Sequence, residues 1–163
     1  MQNKLKIVKY PEKTLHEPCQ EIGPEEIPKL KDLIEQMYQK MHEENGVGLA
    51  APQIGKNIKL AVIEVAGERY TIINPKIVKL SDKKNILEEG CLSVPKIFGF
   101  IKRAKRVKVE ALNENGKKVK IKAEGLLAQA LQHETDHLEG KLFIEKAKEL
   151  FELREDKDAN PHT

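Results

Sequence analysis

Apolar and polar residues alternate along the chain in three different ways, and each way predicts a different kind of element. Between 24 and 44, Ile27, Leu30, Leu33, Ile34, Met37 and Met41 recur three and four residues apart. That spacing lines up one face of a helix with 3.6 residues per turn. Pro24 and Pro28 stand near its start and Asn45-Gly46 at its end, where such residues open and close helices. The next stretch, 46 to 55, is too rich in glycine and too interrupted by proline to predict regular structure. Runs of β-formers then predict strands at 58 to 65, 70 to 74, 76 to 80, 86 to 88, 106 to 112 and 118 to 123. The last two alternate around Asn113-Glu114-Asn115-Gly116, a turn sequence. Helical spacing returns with Leu126, Leu127, Ala130, Leu131 and Leu138, bracketed by Gly125 and Gly140. From Glu145 the residues are mostly charged and fit a short helix to about Glu155, followed by a frayed polar end.

Helix, strands and helix in that order predict an α+β fold. The expected form is mixed or antiparallel strands around a central helix, with an amphipathic helix near the N-terminus. No repeat or linker divides the chain, so 1–150 is expected to be one domain and 151–163 a short polar C-terminal tail.

Length and charge narrow the partners. A chain of 163 residues buries roughly 70% of its unfolded surface and needs neither a disulfide nor a structural metal merely to fold. Its 29 basic and 26 acidic residues are interspersed, leaving +3. No large field of one sign is therefore expected to hold nucleic acid or membrane. The local run Lys102, Arg103, Lys105, Arg106 is explained as a solvated strand face. Two cysteines, Cys19 and Cys91, and an opening Met1-Gln2-Asn3-Lys4 without an apolar signal segment point to a reducing, cytoplasmic setting.

The chemistry is concentrated in His133-Glu134-Thr135-Asp136-His137. On a helix, side chains four apart share a face, so His133 and His137 can grip one metal ion. Glu134, one step around, is then placed to act as general base rather than as a ligand. A catalytic site of this kind takes three protein ligands. Downstream, Glu145, Glu149 and Glu152 are available in a segment that reads as solvated. Upstream, the best donor is Cys91 in Glu88-Glu89-Gly90-Cys91-Leu92-Ser93, because a thiolate is a good ligand and Gly90 permits close backbone approach. The alternative for Cys91 is a small buried hydrophobe. Cys19, His16, His42 and His162 are read as packing or surface residues.

Three runs, Gly46-Val47-Gly48-Leu49-Ala50-Ala51-Pro52-Gln53, Glu89-Gly90-Cys91-Leu92-Ser93 and Gln132-His133-Glu134-Thr135-Asp136-His137-Leu138, resemble in order and spacing the signature motifs of the peptide deformylase family. The resemblance extends over about residues 5 to 144, and Ile73-Asn74-Pro75 also fits. It implies Cys91, His133 and His137 as metal ligands and Glu134 as general acid and base. It further implies the Leu92 N–H and the Gln53 amide as oxyanion donors. The usual cofactor of the family is Fe(II), one ion per chain, with zinc, nickel or cobalt able to take its place. The implied reaction is hydrolysis of the formyl group from N-formylmethionine on newly made polypeptides, releasing formate, with the ribosome near its tunnel exit as an implied neighbour. Gly46, Gly48 and Gly90 would let the peptide backbone lie close, and Val47, Leu126, Gln129 and Ala130 are candidates for the methionine pocket. For Leu126 plain core packing is the equal alternative. Phe98 stands where some members have an arginine.

Overall fold

In the computed structural model, which describes residues 4–153, the first helix, α1, spans Lys31–Glu43 and is followed by strand β1, Gly48–Ala50. Strands β2, Leu60–Val65, and β3, Glu68–Leu80, come next. They are followed by β4, Lys84–Cys91, β5, Val94–Ala104, β6, Arg106–Leu112, and β7, Lys118–Glu124. The chain then forms α2, Gly125–Leu138, a single turn α3, Phe143–Lys146, and β8, Glu149–Glu152. The fold is α+β. One sheet has five strands in the order β1-β2-β3-β6-β7 and the other three in the order β4-β5-β8. Every strand pair in both is antiparallel. Among the described residues no helix is long and apolar enough to cross a membrane.

The five-stranded sheet has a helix on each face, and this explains its sequence pattern. Ala61, Ile63, Ile72, Val107, Val109 and Ala123 face Ala128, Leu131 and Leu138 of α2. Leu60, Val62 and Ile73 face the opposite way, against Ile34, Met37, Tyr38 and Met41 of α1. A strand covered on both faces reads as a continuous apolar run, as β2 does. Apart from Leu112, β6 and β7 are covered on the α2 side, so Lys108, Glu110, Lys120 and Lys122 alternate with buried or half-buried neighbours. The smaller sheet has its own apolar cluster of Val94, Ile101 and Phe143, against which Cys91 and Ile97 pack. Buried Gln132 joins the two layers. Its amide accepts from the Ala104 N–H at 2.9 Å and donates to the Ala104 carbonyl at 3.0 Å, fixing α2 against the end of β5.

Several expectations are corrected. The stretch 46 to 55 is regular in part: Gly48 pairs with Ile63 at the start of β1, and Ala51–Ile54 forms a 3-10 turn with Pro52 in its first positions, where a missing N–H costs nothing. The helix predicted over 24–44 is confined to 31–43, with Ile27–Leu30 as a 3-10 turn leading into it. Strands predicted at 70–74 and 76–80 are one strand, irregular between Ile73 and Lys76. There Asn74 takes a positive φ of 49° and its side chain bonds both backbone groups of Ile22. The eleven-residue β5 was not predicted, and β4 is longer than the predicted 86–88. The helix predicted after Glu145 is instead α3 and then β8, so Phe151 and Glu152 belong to a strand rather than to a tail. Phe151 stacks on Phe98 at 5.9 Å between ring centres, a pairing that comes from tertiary contact and leaves no period in the sequence. Residues 154–163, with most of the expected tail and His162, lie outside the described residues.

Candidate metal centre

The β4–β5 hairpin turns through Leu92 and Ser93, with Cys91 opposite Val94, and its tip meets the C-terminal half of α2. There Cys91 Sγ lies 3.3 Å from His137 Nε2, and His137 Nε2 lies 3.2 Å from His133 Nε2. All three atoms fall within 4.8 Å of one another. Separations of this size are what bonds of roughly 2.0 to 2.3 Å from sulfur and nitrogen to one centre produce. One soft sulfur and two imidazoles form a donor set for zinc, iron or a related transition metal rather than for calcium or magnesium. The residues fit a divalent ion. The downstream carboxylates do not reach this group: Glu149 and Glu152 are exposed in β8, and Glu145 faces His16 at 3.6 Å.

Buried charges orient the ligands. His133 Nδ1 lies 2.8 Å from Glu89 Oε1. A carboxylate only accepts, so Nδ1 carries the proton and Nε2 turns its lone pair toward Cys91 and His137. Glu89 in turn accepts two bonds from Arg103, from Nε at 2.7 Å and from Nη2 at 2.8 Å. Burial pushes the Glu89 carboxyl up, but Arg103 and His133 outweigh it and bring it down to about 2. Arg103, 4% exposed, also donates to Asp136 Oδ2 at 2.6 Å, and Lys146 holds the other oxygen of Asp136 at 3.0 Å. Arg103 is therefore no part of a solvated strand face, as its position in a basic run suggested. For Cys91, burial opposes ionisation but is outweighed by His137 and His133, so the thiolate is favoured.

Glu134 is buried beside the ligands. Its Oε1 has no hydrogen-bond partner, and burial holds its carboxyl above the usual range despite the pull of His133 and His137. Gly48 makes room for it: a Cβ there would come within 2.5 Å of Glu134 Oε2. Gln53, 1% exposed, is held by the Ala50 N–H on its Oε1 at 2.9 Å. Its Nε2 donates to Ser93 Oγ at 3.2 Å and to Cys91 Sγ at 3.4 Å. The Leu92 carbonyl accepts from Lys9 Nζ at 3.1 Å.

These groups lie along a cleft of about 550 Å³ whose lining includes Val47, Gly48, Gln53, Gly90, Cys91, Leu92, Phe98, Leu126, Gln129, Ala130, His133 and Glu134. The residues that the resemblance implies for the metal, the chemistry and the peptide are thus at the cleft or, for buried His137, directly behind it. Leu126 is 51% exposed, so core packing does not account for it; Ala128, Leu131 and Leu138 fill that role. Cys19 lies in the main core and His42 bonds Glu64, both away from the cleft. Sequence reasoning missed Glu89, Arg103, Asp136 and Gln132 as supporting residues, although Glu89, Gln132 and Asp136 lie inside or beside the motif runs.

The chain is similar to known proteins over most of its length. The family model described as "Polypeptide deformylase" matches residues 4–152. A peptide deformylase of Roseiflexus castenholzii is 47% identical over 144 residues, covering 78% of this chain and 78% of the relative. One from Neisseria meningitidis is 42% identical over 152 residues, covering 90% of this chain and 88% of its own. The crystal structure of the Thermotoga maritima peptide deformylase superimposes with a TM-score of 0.86 at 36% identity, over 91% of this chain and all 100% of that one. That of Synechococcus elongatus, solved in complex with actinonin, gives 0.85 at 36% identity over 89% and 79% of the two chains. With its family motifs gathered on one cleft and matches of this extent, the chain belongs to the polypeptide deformylase family.

Proposed function

We propose that this protein is a metal-dependent deformylase that hydrolyses the formyl group from the N-terminal formylmethionine of new polypeptides and releases formate. The observation that carries the reading is the convergence of Cys91 Sγ, His133 Nε2 and His137 Nε2 within 4.8 Å beside a buried carboxylate with a free oxygen. Cys91, His133 and His137 would hold the ion, with α2 as the metal-binding helix. When bound, the ion supplies Lewis acidity, which makes water nucleophilic near neutral pH and polarises a carbonyl. Fe(II) is the ion of this proposal, with zinc, nickel or cobalt as substitutes.

Glu134 takes a proton from the attacking water and passes it to the departing amine nitrogen as the C–N bond breaks. Its raised carboxyl suits this double use, because a base works best when its own affinity for a proton lies close to the working pH. The carbonyl oxygen becomes an oxyanion as water adds, and the Leu92 N–H and Gln53 Nε2 are its donors. The Gln53 N–H directed at Cys91 Sγ lies beside the reacting group and is the one that would turn to the oxyanion. The Gly46 to Gly48 segment binds the peptide by its backbone, which accepts almost any following sequence. Val47, Leu126, Gln129 and Ala130 take the methionine side chain, with Gly90 leaving room on the other wall. The catalytic domain of this proposal spans 1–150 together with β8, and the enzyme works in the cytoplasm, close to the ribosome.

The test is kcat/KM for N-formyl-Met-Ala and N-acetyl-Met-Ala on one metallated preparation, with metal content measured on the same sample. The acetyl methyl must press into the wall beside Leu92 and Gly48, and overpacking a rigid site costs about 1 to 3 kcal/mol before any misalignment is added. The formyl peptide is expected to be cleaved far faster. Equal rates would make the site a general amidase.

A further inference from the structure

The face of the five-stranded sheet that carries α1 is covered on that side over β1, β2, the first half of β3 and the Leu112 end of β6. Beyond that cover, the end of β3, β6 from Arg106 to Glu110 and β7 show side chains to solvent. Arg106 stands opposite Glu124, and Glu110 opposite Lys120, each forming an ion pair at 3.4 and 4.0 Å. Between those two rows, Lys79 of β3 is opposite Lys108 of β6, and Lys108 is opposite Lys122 of β7. Three exposed ammonium groups thus cross three adjacent strands in one row, and among the described residues no carboxylate pairs with any of them.

Like charges directly opposite one another in a sheet are destabilising. Lysines on an edge strand keep other strands from pairing with it, which accounts for Lys122 on β7 but not for Lys79 and Lys108 on interior strands. The row is also the ridge between two hollows. One, of about 510 Å³, is lined by Lys79, Lys108 and Lys122 with Ser81 and Arg106. The other, of about 450 Å³, is lined by the same three lysines with Lys120 and Glu110.

We propose that the lysine row is a docking surface for the phosphate backbone of RNA. Residues opposite in a sheet step by roughly 5 Å, which lays a line of point charges along a strand of phosphates. Hollows on both sides of the ridge admit such a strand, whereas a flat bilayer would touch only the lysine tips. A lipid-binding face would add bulky aromatic anchors, and among the described residues no aromatic side chain lines either hollow. The same absence, with Arg106 already tied to Glu124, leaves nothing to read bases, so binding is independent of sequence and steeply dependent on salt. The choice of RNA over DNA rests on the proposed substrate, a polypeptide newly made on an RNA-containing particle. The surface lies on the opposite face of the sheet from α2 and leaves the cleft open. It departs from the expectation, drawn from dispersed charge along the sequence, that nucleic acid is not a partner; the cross-strand register concentrates what the sequence spreads out.

The experiment is fluorescence anisotropy of a labelled mixed-sequence RNA duplex of roughly 16 base pairs with metallated protein, titrated at several salt concentrations between about 50 and 200 mM. Three neutralised phosphates predict a slope of log affinity on log salt of about −2.7. The triple variant Lys79→Gln, Lys108→Gln, Lys122→Gln is expected to bind at least about tenfold more weakly with a slope flatter by about 2 to 3. Its melting temperature should hold or rise, because repulsion along the row is removed, and its rate on a short formyl peptide should be that of the wild type. Undiminished RNA affinity in the triple variant would overturn the proposal. So would lysine-dependent binding to a DNA duplex or to phosphatidylserine vesicles in the absence of RNA binding. Formate release is scored as a separate signal, so failure of the deformylase reading and failure of the docking surface are distinguished.

Discussion

Glu134 combines burial, an unpartnered oxygen and a glycine wall, and these features separate its role from those of its histidine neighbours. Glu134→Gln removes the base and no ligand, so metal content should stay at the wild-type level while kcat falls by about 10²- to 10⁴-fold. Metal analysis and steady-state kinetics on the same preparation check this, and a near wild-type rate would show that another group moves the proton. Gly48→Ala should behave alike for a steric reason. The added Cβ has no room at 2.5 Å from Glu134 Oε2, so the carboxylate must swing away. We expect full metal, a kcat lowered at least about tenfold, and a smaller loss for Gly46→Ala, whose Cβ would come closest to the flexible tip of Leu92, at 3.1 Å. At this scale the sequence was most legible, because two histidines four apart on a helix state their geometry locally. Glu89 and Arg103 were not legible. A buried Arg103 in a basic run looks like any surface arginine until the strands place Glu89 and Asp136 around it.

The hairpin β4–β5 and the helix α2 bring one and two of the proposed ligands respectively, and Arg103 is the tie between them. It reaches Glu89 on β4 and Asp136 on α2 from its own place on β5. Removing one member of a buried ion pair leaves uncompensated charge, at a cost of about 3 to 5 kcal/mol. Loss of a residue that orients a ligand lowers metal affinity about 10- to 100-fold. Arg103→Met should therefore lower both the denaturation midpoint and metal affinity, measured by chemical denaturation and chelator competition. A variant with wild-type metal affinity would show that Glu89 orients His133 without help. The elements themselves were legible where burial follows the local pattern, as in the alternation of β6 and β7 and the stripe of α1. They were not legible where a partner strand decides. β5 contains Pro95 and Gly99, and Gly99 is crowded by the β8 backbone, with a Cβ there only 2.8 Å from the Glu149 carbonyl. β8 is four residues whose strand character comes from pairing with β5.

Across the whole molecule, the proposed ligands come from two layers that already have their own cores. Ile63, Ile72, Val109 and Leu131 pack one side of the large sheet, and Leu60, Ile73, Met37 and Tyr38 the other, all without reference to the ligands. Metal removal should therefore destabilise the protein without unfolding it. An ion present at about a thousand times its dissociation constant stabilises by about 4 kcal/mol, and a domain of this size shifts by about 2 to 4 °C per kcal/mol. Chelation should then lower the melting temperature by roughly 8 to 16 °C and leave far-UV circular dichroism at room temperature unchanged. The two cysteines report the same event chemically. Burial pushes the Cys19 thiol up to about 11, so it stays protonated and unreactive at neutral pH with or without metal. Cys91 is held as a thiolate at the cleft, and only the ion competes with an alkylating reagent for its sulfur. Iodoacetamide should modify Cys91 alone, quickly after chelation and slowly before it, as read by peptide mass spectrometry. Labelling of Cys19 at a comparable rate would mean that the core opens when the metal leaves and that the ion does, after all, hold the fold together.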